Sequence, residues 1–247
     1  MQMSVVGDPW TVPIAPTLTR KQRRVELMRS VRSLFFTGDY SDCTIICGNY
    51  ELRMHKSIIC PRSRVFAAMF THGLKEIETG VARLDDEDPE AVRSLLYYMY
   101  HLDYPCRDSS GLVKANDGES EVGAPDPLMS PRSESVMYPD APNLIHHCRV
   151  YCLADKFDVG SLKSLAAEKF EEEAINYWDH PLFIEAAREV YATSPTNDLG
   201  LRSVVVTTLQ GHHQLLDTPG VQGLLRESQL AFDLLMDSRR KGGLYQF

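Results

Sequence analysis

The sequence predicts an α+β domain, a small mixed sheet with clustered helices, followed by an all-helical tail. Three observations carry this. The hydrophobic period changes from helical to alternating and back within residues 20–100, so short strands lie among helices. A Pro- and Ser-rich stretch over 105–142 interrupts the pattern. From Leu144 onward only helical spacing is found.

Residues 1–17 hold Pro9, Pro13 and Pro16 and show no periodicity, so they read as a disordered tail. Over 20–36, Val25, Leu27, Met28, Val31, Leu34 and Phe35 recur at spacings of mostly three and four, and Gly38 supplies a stop. Arg20, Lys21, Arg23 and Arg24 read as a solvated face of this helix. The run from Asp42 to Cys47 is short and β-branched, Gly48-Asn49 makes a turn, and Tyr50 to His55 alternates, which predicts a β-hairpin. Helical spacing returns from Lys56 to about Phe70, divided where Pro61 breaks one helix and Ser63 caps the next. Residues 80–84 suit a third strand. Asp88-Pro89-Glu90 opens another helix with an N-cap, a first-turn Pro and an acid at the positive end of the dipole. Its apolar face is Val92, Leu95, Leu96, Met99 and Tyr100.

The stretch 105–142 has too little apolar surface to offset its ordering entropy and is expected to be a flexible insertion. Helices are expected from Leu144 to near Gly160, over 162–170, and over about 181–192, 198–216 and 221–238.

Composition narrows function. The chain has 247 residues, is 43% hydrophobic and carries a formal net charge of −8, a balance that argues against a nucleic-acid partner. No apolar run approaches a membrane span and no secretory signal is evident. The expectation is therefore a cytoplasmic or nuclear protein, off the membrane, with its six cysteines as free thiols. No phosphate loop, nucleophile elbow or His-Glu-x-x-His motif occurs, so the chain is read as not an enzyme and without a cofactor. The strongest metal candidate, His146, His147, Cys148 and Cys152, lacks a full ligand set. Cysteines in a helix core are the preferred reading; a metal-dependent enzyme is the remote alternative.

Ser41-Asp42-Cys43-Thr44-Ile45, His55-Lys56-Ser57-Ile58-Ile59-Cys60, Arg62-Ser63, Val65-Phe66 and Met69-Phe70 resemble the core of the BTB/POZ domain. Glu76, Val81, Leu84, Asp88-Pro89 and Tyr97 to Tyr100 continue the pattern, and Val150 to Phe157 with Leu162 to Ala166 is similar to the helical pair that follows it. The resemblance is to BTB proteins of filamentous fungi, which carry an insertion like 105–142. It implies a BTB/POZ domain over 18–170 and a BACK-like helical extension over 171–247.

The resemblance also implies roles. Asp42, His55 and Lys56 correspond to a charged pocket, or else to a buried pair fixing the hairpin, with His55 capping the strand–helix junction. Leu74, Lys75 and Glu76, with Phe70, match the segment by which adaptor-type members dock a cullin scaffold; Glu76 reads equally as a solvated acid. The helix carrying Val25, Met28, Val31 and Phe35 corresponds to the element BTB dimers share, so its apolar face needs its own domain or a second protomer. The expected partners are proteins: a homodimer mate, another protein or a cullin. The attached recognition domains of familiar members are not evident.

Overall fold

A computed structural model describes residues 18–107, 113–114 and 142–242. The expected tail over 1–17 and most of the expected insertion lie outside the described residues.

Helix α1 (Arg20–Thr37) begins with a capping box. Thr19 accepts from the Gln22 amide, and the Gln22 side chain accepts from the Thr19 amide. It ends on Gly38, whose φ of 61° is the left-handed conformation that glycine adopts without a Cβ clash. A Cβ there would also stand 2.8 Å from the Arg53 guanidinium.

Strands β1 (Cys43–Cys47) and β2 (Tyr50–Met54) form the antiparallel hairpin, turning through Gly48 at φ 55°. Strand β3 (Val81–Arg83) lies on the other side of β1 and runs parallel to it, giving the order β2-β1-β3. One face of the sheet is apolar: Cys43, Ile45, Cys47, Leu52 and Met54 are all buried. The crossover between β1 and β3 includes helices α2 (Lys56–Ile59), α3 (Arg64–His72) and α4 (Leu74–Thr79), with a 3-10 turn at Cys60–Arg62. The sequence reading places two helices here; the third, α4, is one and a half turns long and gives little periodic signal.

Helix α5 (Pro89–His101) is buried along its whole length from Ala91 to His101. Its N-cap is Asp88, which accepts from the Ala91 amide at 2.9 Å. After α5 the expected structureless loop is corrected at its start. Strands β4 (Cys106–Arg107) and β5 (Val113–Lys114) pair antiparallel. Two-residue strands are too short for alternation to reveal.

The helical part comprises α6 (Leu144–Lys156), α7 (Gly160–Asn176), α8 (Pro181–Thr193), α9 (Gly200–Gly211), α10 (Pro219–Glu227) and α11 (Leu230–Arg240). Three boundaries differ from expectation. α7 runs without interruption through residue 170, where the sequence reading divides the chain. The helix expected over 198–216 closes at Gly211 and continues as a 3-10 turn. The helix expected over 221–238 is two: Ser228 is extended (φ −133°, ψ 177°). Its hydroxyl donates to Leu224 O at 2.7 Å and accepts from the Leu230 amide at 3.3 Å. A serine hydroxyl that competes for backbone groups favours such a break.

One serine joins the two parts. Ser63 is buried, caps α3 by accepting from the Phe66 amide at 3.2 Å, and donates to the Phe157 carbonyl at 2.6 Å. Beside it the Phe66 and Phe157 rings pack with centroids 4.8 Å apart. Arg64 and Asp158 form an ion pair on the surface above. We predict that Ser63→Ala, which strands two buried backbone groups, lowers stability by about 1–3 kcal/mol in urea titration, whereas Arg64→Ala changes it by less than about 1 kcal/mol.

Candidate functional site

The residues singled out by sequence occupy three separate places. The first is the hairpin–helix junction. Asp42 caps α2, its Oδ1 accepting from the Lys56 amide at 2.7 Å. His55 is 5% exposed, and its ring makes no cap bond to α2. Instead Nε2 meets the Asp39 carbonyl at 2.6 Å and Nδ1 meets the Tyr100 hydroxyl at 2.8 Å. A carbonyl only accepts, so Nε2 carries the proton, and Nδ1 of the neutral ring accepts from Tyr100. The same hydroxyl oxygen accepts from the His55 amide at 3.0 Å. The Lys56 ammonium lies 5.0 Å over the Phe70 ring.

These contacts engage the three residues that the resemblance groups as a charged pocket. The Asp42 carboxylate is engaged by a backbone amide, Lys56 by an aromatic face, and His55 by α5. The three residues fix the hairpin on the helices. Burial, with Asp42 adding to it against Lys56, pushes the Cys43 thiol up to about 12. Burial likewise pushes Cys47 up to about 11. Neither is a nucleophile near neutral pH. Tyr100 and Asp39, the partners of His55, carried no sequence signal as partners.

The second place is the α3–α4 edge. Leu74 is 85% exposed and Ile77 49% exposed, while Glu76 is half-buried. Gly73 starts α4, and a Cβ there would lie 2.4 Å from the Met69 carbonyl; only glycine allows this close approach. Phe70, grouped with this edge on sequence, is 7% exposed. It shares the inward face of α3 with Phe66 at an i, i+4 spacing, so it supports the edge from below and is not part of the exposed surface.

The third place is α1. Phe35 is buried, with ring centroids 5.3 Å from Tyr97 and 5.5 Å from Tyr100. Val31 and Leu34 pack against the same core. Val25 and Met28 are only half-buried, and Leu27 is 65% exposed. The C-terminal half of α1 is therefore covered by its own domain, and the N-terminal half leaves apolar area in solvent.

The metal candidate residues are dispersed. His146 Nε2 meets Ser94 Oγ at 3.0 Å, His147 Nδ1 meets the Tyr104 hydroxyl at 2.7 Å, and Cys152 donates to Thr193 Oγ1 at 3.3 Å. No group of three metal-ligating side chains occurs among the described residues. Sequence reading missed the buried polar cluster to which His147 belongs. Lys169 Nζ meets Asp103 Oδ1 at 2.6 Å and the Tyr104 carbonyl at 2.9 Å. Glu173 Oε1 accepts from Asn143 at 2.9 Å and lies 3.6 Å from His147 Nε2. These residues are scattered over 103–173, so no local motif announces them.

With this geometry in hand, comparison with known proteins is decisive for the first part of the chain. Residues 31–109 match the model of the BTB/POZ domain. These residues form a BTB/POZ domain, a protein–protein interaction module. TD and POZ domain-containing proteins 4 and 5 of Mus musculus are 30% and 29% identical to this chain over 100 and 102 residues, 40% of its length. The chain spans only 27% and 29% of those relatives. Among solved structures, the BTB domain of zebrafish PATZ1 aligns with a TM-score of 0.40 and 12% identity, covering 64% of this chain and 99% of that one. The BTB domain of human Gigaxonin gives 0.36 and 16%, covering 62% and 96%. The BTB/POZ match includes the His55 clamp, the α3–α4 edge and the C-terminal half of α1, and ends before α6.

The i, i+4 pair Cys148 and Cys152 sits on α6 against Thr193. The interaction between the two neighbouring thiols lowers the Cys152 thiol below its ordinary value, against the opposing effect of burial, and holds Cys148 above its own. The thiolate is the reactive form. We therefore predict that Cys152 is alkylated by iodoacetamide before Cys43 and Cys47, at a rate that rises from pH 6 to 8. Cys148→Ser should slow that reaction at pH 7, as read by peptide mass spectrometry.

Proposed function

We propose that this chain is an interaction module that self-associates through α1 and presents its remaining surface to protein partners. The observation that carries this reading is the half-covered apolar face of α1. Met28, half-buried, continues at spacings of three and seven the row of half-buried Val31 and buried Phe35, and half-buried Val25 and Leu27, 65% exposed, flank it. An apolar stripe that runs on past its own domain gains by burial against a second protomer. The proposed role is non-enzymatic and set in the cytoplasm, the nucleus or both. No described helix is long and apolar enough to cross a membrane. A kinship with the filamentous-fungal BTB proteins and a BACK-like role for 171–247 are supported by sequence resemblance alone.

Light scattering of the purified chain tests this. The expected result is a dimer whose dissociation constant rises at least about tenfold in Met28→Asp, because a carboxylate cannot enter an apolar interface without losing its hydration. A chain that stays monomeric up to high micromolar concentration overturns the reading.

A second reading, an adaptor of a cullin-based ubiquitin ligase, is favoured by the exposure of Leu74 beside Glu76. In cell lysates it predicts cullin co-purification that falls at least about tenfold in a Leu74→Ala, Glu76→Lys double variant, since an exposed apolar anchor and its charged neighbour act together at such sites. Unchanged recovery, or no cullin at all, removes it.

A further inference from the structure

α1 carries six basic residues and one acid in a chain whose net charge is −8. Five of the six, Arg20, Lys21, Arg23, Arg24 and Arg29, are exposed, and no ion pair engages the first four among the described residues. Arg20, Arg24 and Leu27 lie at i, i+4 and i+7, so one face presents two cations and an exposed leucine.

A cleft of about 420 Å³ lies where α5 ends against α7, lined by His101, Leu102, Asp103, Leu165, Glu168, Lys169 and Glu172. Lys169 is paired with Asp103 at 2.6 Å. That leaves Glu168 and Glu172, both exposed, as uncompensated charges at an i, i+4 spacing. Leu102, 49% exposed, and half-buried Leu165 supply apolar floor. The cleft thus repeats the α1 pattern with opposite sign: two anions one helical turn apart, next to leucines.

Arg20 and Arg24 of a protomer lie too far along α1 to reach that protomer's own cleft. His101 of the cleft contacts Phe36 at the C-terminal end of α1, with ring centroids 5.5 Å apart. Arg24 lies twelve residues up the same helix, about 18 Å away. Antiparallel pairing of two α1 helices about a two-fold axis brings the N-terminal half of each beside the C-terminal end of the other, and so to the other's cleft.

We infer that the occupant of this cleft is the basic N-terminal half of α1 from a second copy, with Arg20 and Arg24 facing Glu168 and Glu172. This rests on self-association through α1 and adds to it an electrostatic partner surface on α7, outside the matched BTB/POZ segment. The arrangement is self-complementary, so each ion-pair set occurs twice. Exposed pairs are screened by salt, which shortens the Debye length from about 10 Å at 0.1 M to about 3 Å at 1 M. The dimer should therefore weaken with ionic strength.

Sedimentation equilibrium of the full chain at 0.05 and 0.5 M NaCl tests this, with circular dichroism as the check on folding. The expected dissociation constant rises at least about tenfold with salt. At low salt it rises similarly in R20E/R24E and in E168R/E172R, and returns toward wild type in the fourfold reversal. A salt-insensitive dimer unaffected by E168R/E172R overturns the cleft assignment while leaving α1 self-association intact. A monomer at both salt concentrations overturns both. All four substituted residues are exposed, and rescue in the fourfold variant separates lost contact from lost fold.

Discussion

Helix α5 has no free face. Every residue from Ala91 to His101 is buried, although a helix on a domain surface ordinarily keeps one face polar and wet. The constraint is that α5 must be covered from all sides. Helices α1 and α2 cover part of it, and α6 packs on another part. Polar groups along α5 then need partners within the fold. Tyr100 takes His55, Ser94 takes His146 at 3.0 Å, and His101 takes the Tyr97 carbonyl at 3.1 Å. The His55 clamp and the helical tail are two consequences of the same burial.

The two ends of the insertion are fixed by that requirement too. Asp103, Tyr104 and Cys106 leave α5; Asn143 and His147 enter α6. Lys169 and Glu173 of α7 hold both groups, and the Lys169 ammonium also lies 4.3 Å over the Tyr104 ring. Burial, reinforced by Cys106, Asp103 and Glu173 nearby, drives the Tyr104 phenol far above its ordinary range, so it remains a neutral hydrogen-bonding group. Farther along the tail, Arg202 is 3% exposed. It donates to the Ser194 carbonyl at 2.8 Å and to Gln229 at 3.2 Å, tying the start of α9 to the residues on both sides of it. The tail is thereby a framework of its own that also presents the acidic face of α7.

Much of this was legible in the sequence. The hairpin, the capping of α3 by Ser63 and of α5 by Asp88, and the helical tail follow from local rules of period and capping. The apolar face of α5 was also readable as Val92, Leu95, Leu96, Met99 and Tyr100. Its total burial was not, because Arg93, Ser94, Tyr97 and His101 are residues whose burial depends on partners far off in the chain. The same reason explains the sites. The resemblance grouped Asp42, His55 and Lys56, but the contacts of His55 are with Tyr100 and Asp39, which the motif does not include. The resemblance grouped Phe70, itself readable as core and groove wall, with Leu74, and helical geometry turns the first inward and leaves the second in solvent. The break at Ser228 is a competition for backbone hydrogen bonds that apolar spacing does not register.

The central claim is that α5 makes the BTB/POZ segment and the helical tail one folding unit. Hydrogen exchange followed by mass spectrometry across a urea titration tests it most directly, with peptides from β1, α5 and α9 read in parallel. Burial of α5 on both sides predicts that all three lose protection at one urea midpoint, with α5 amides the slowest to exchange. Loss of protection in α9 at lower urea, while β1 and α5 stay fully protected, would contradict it.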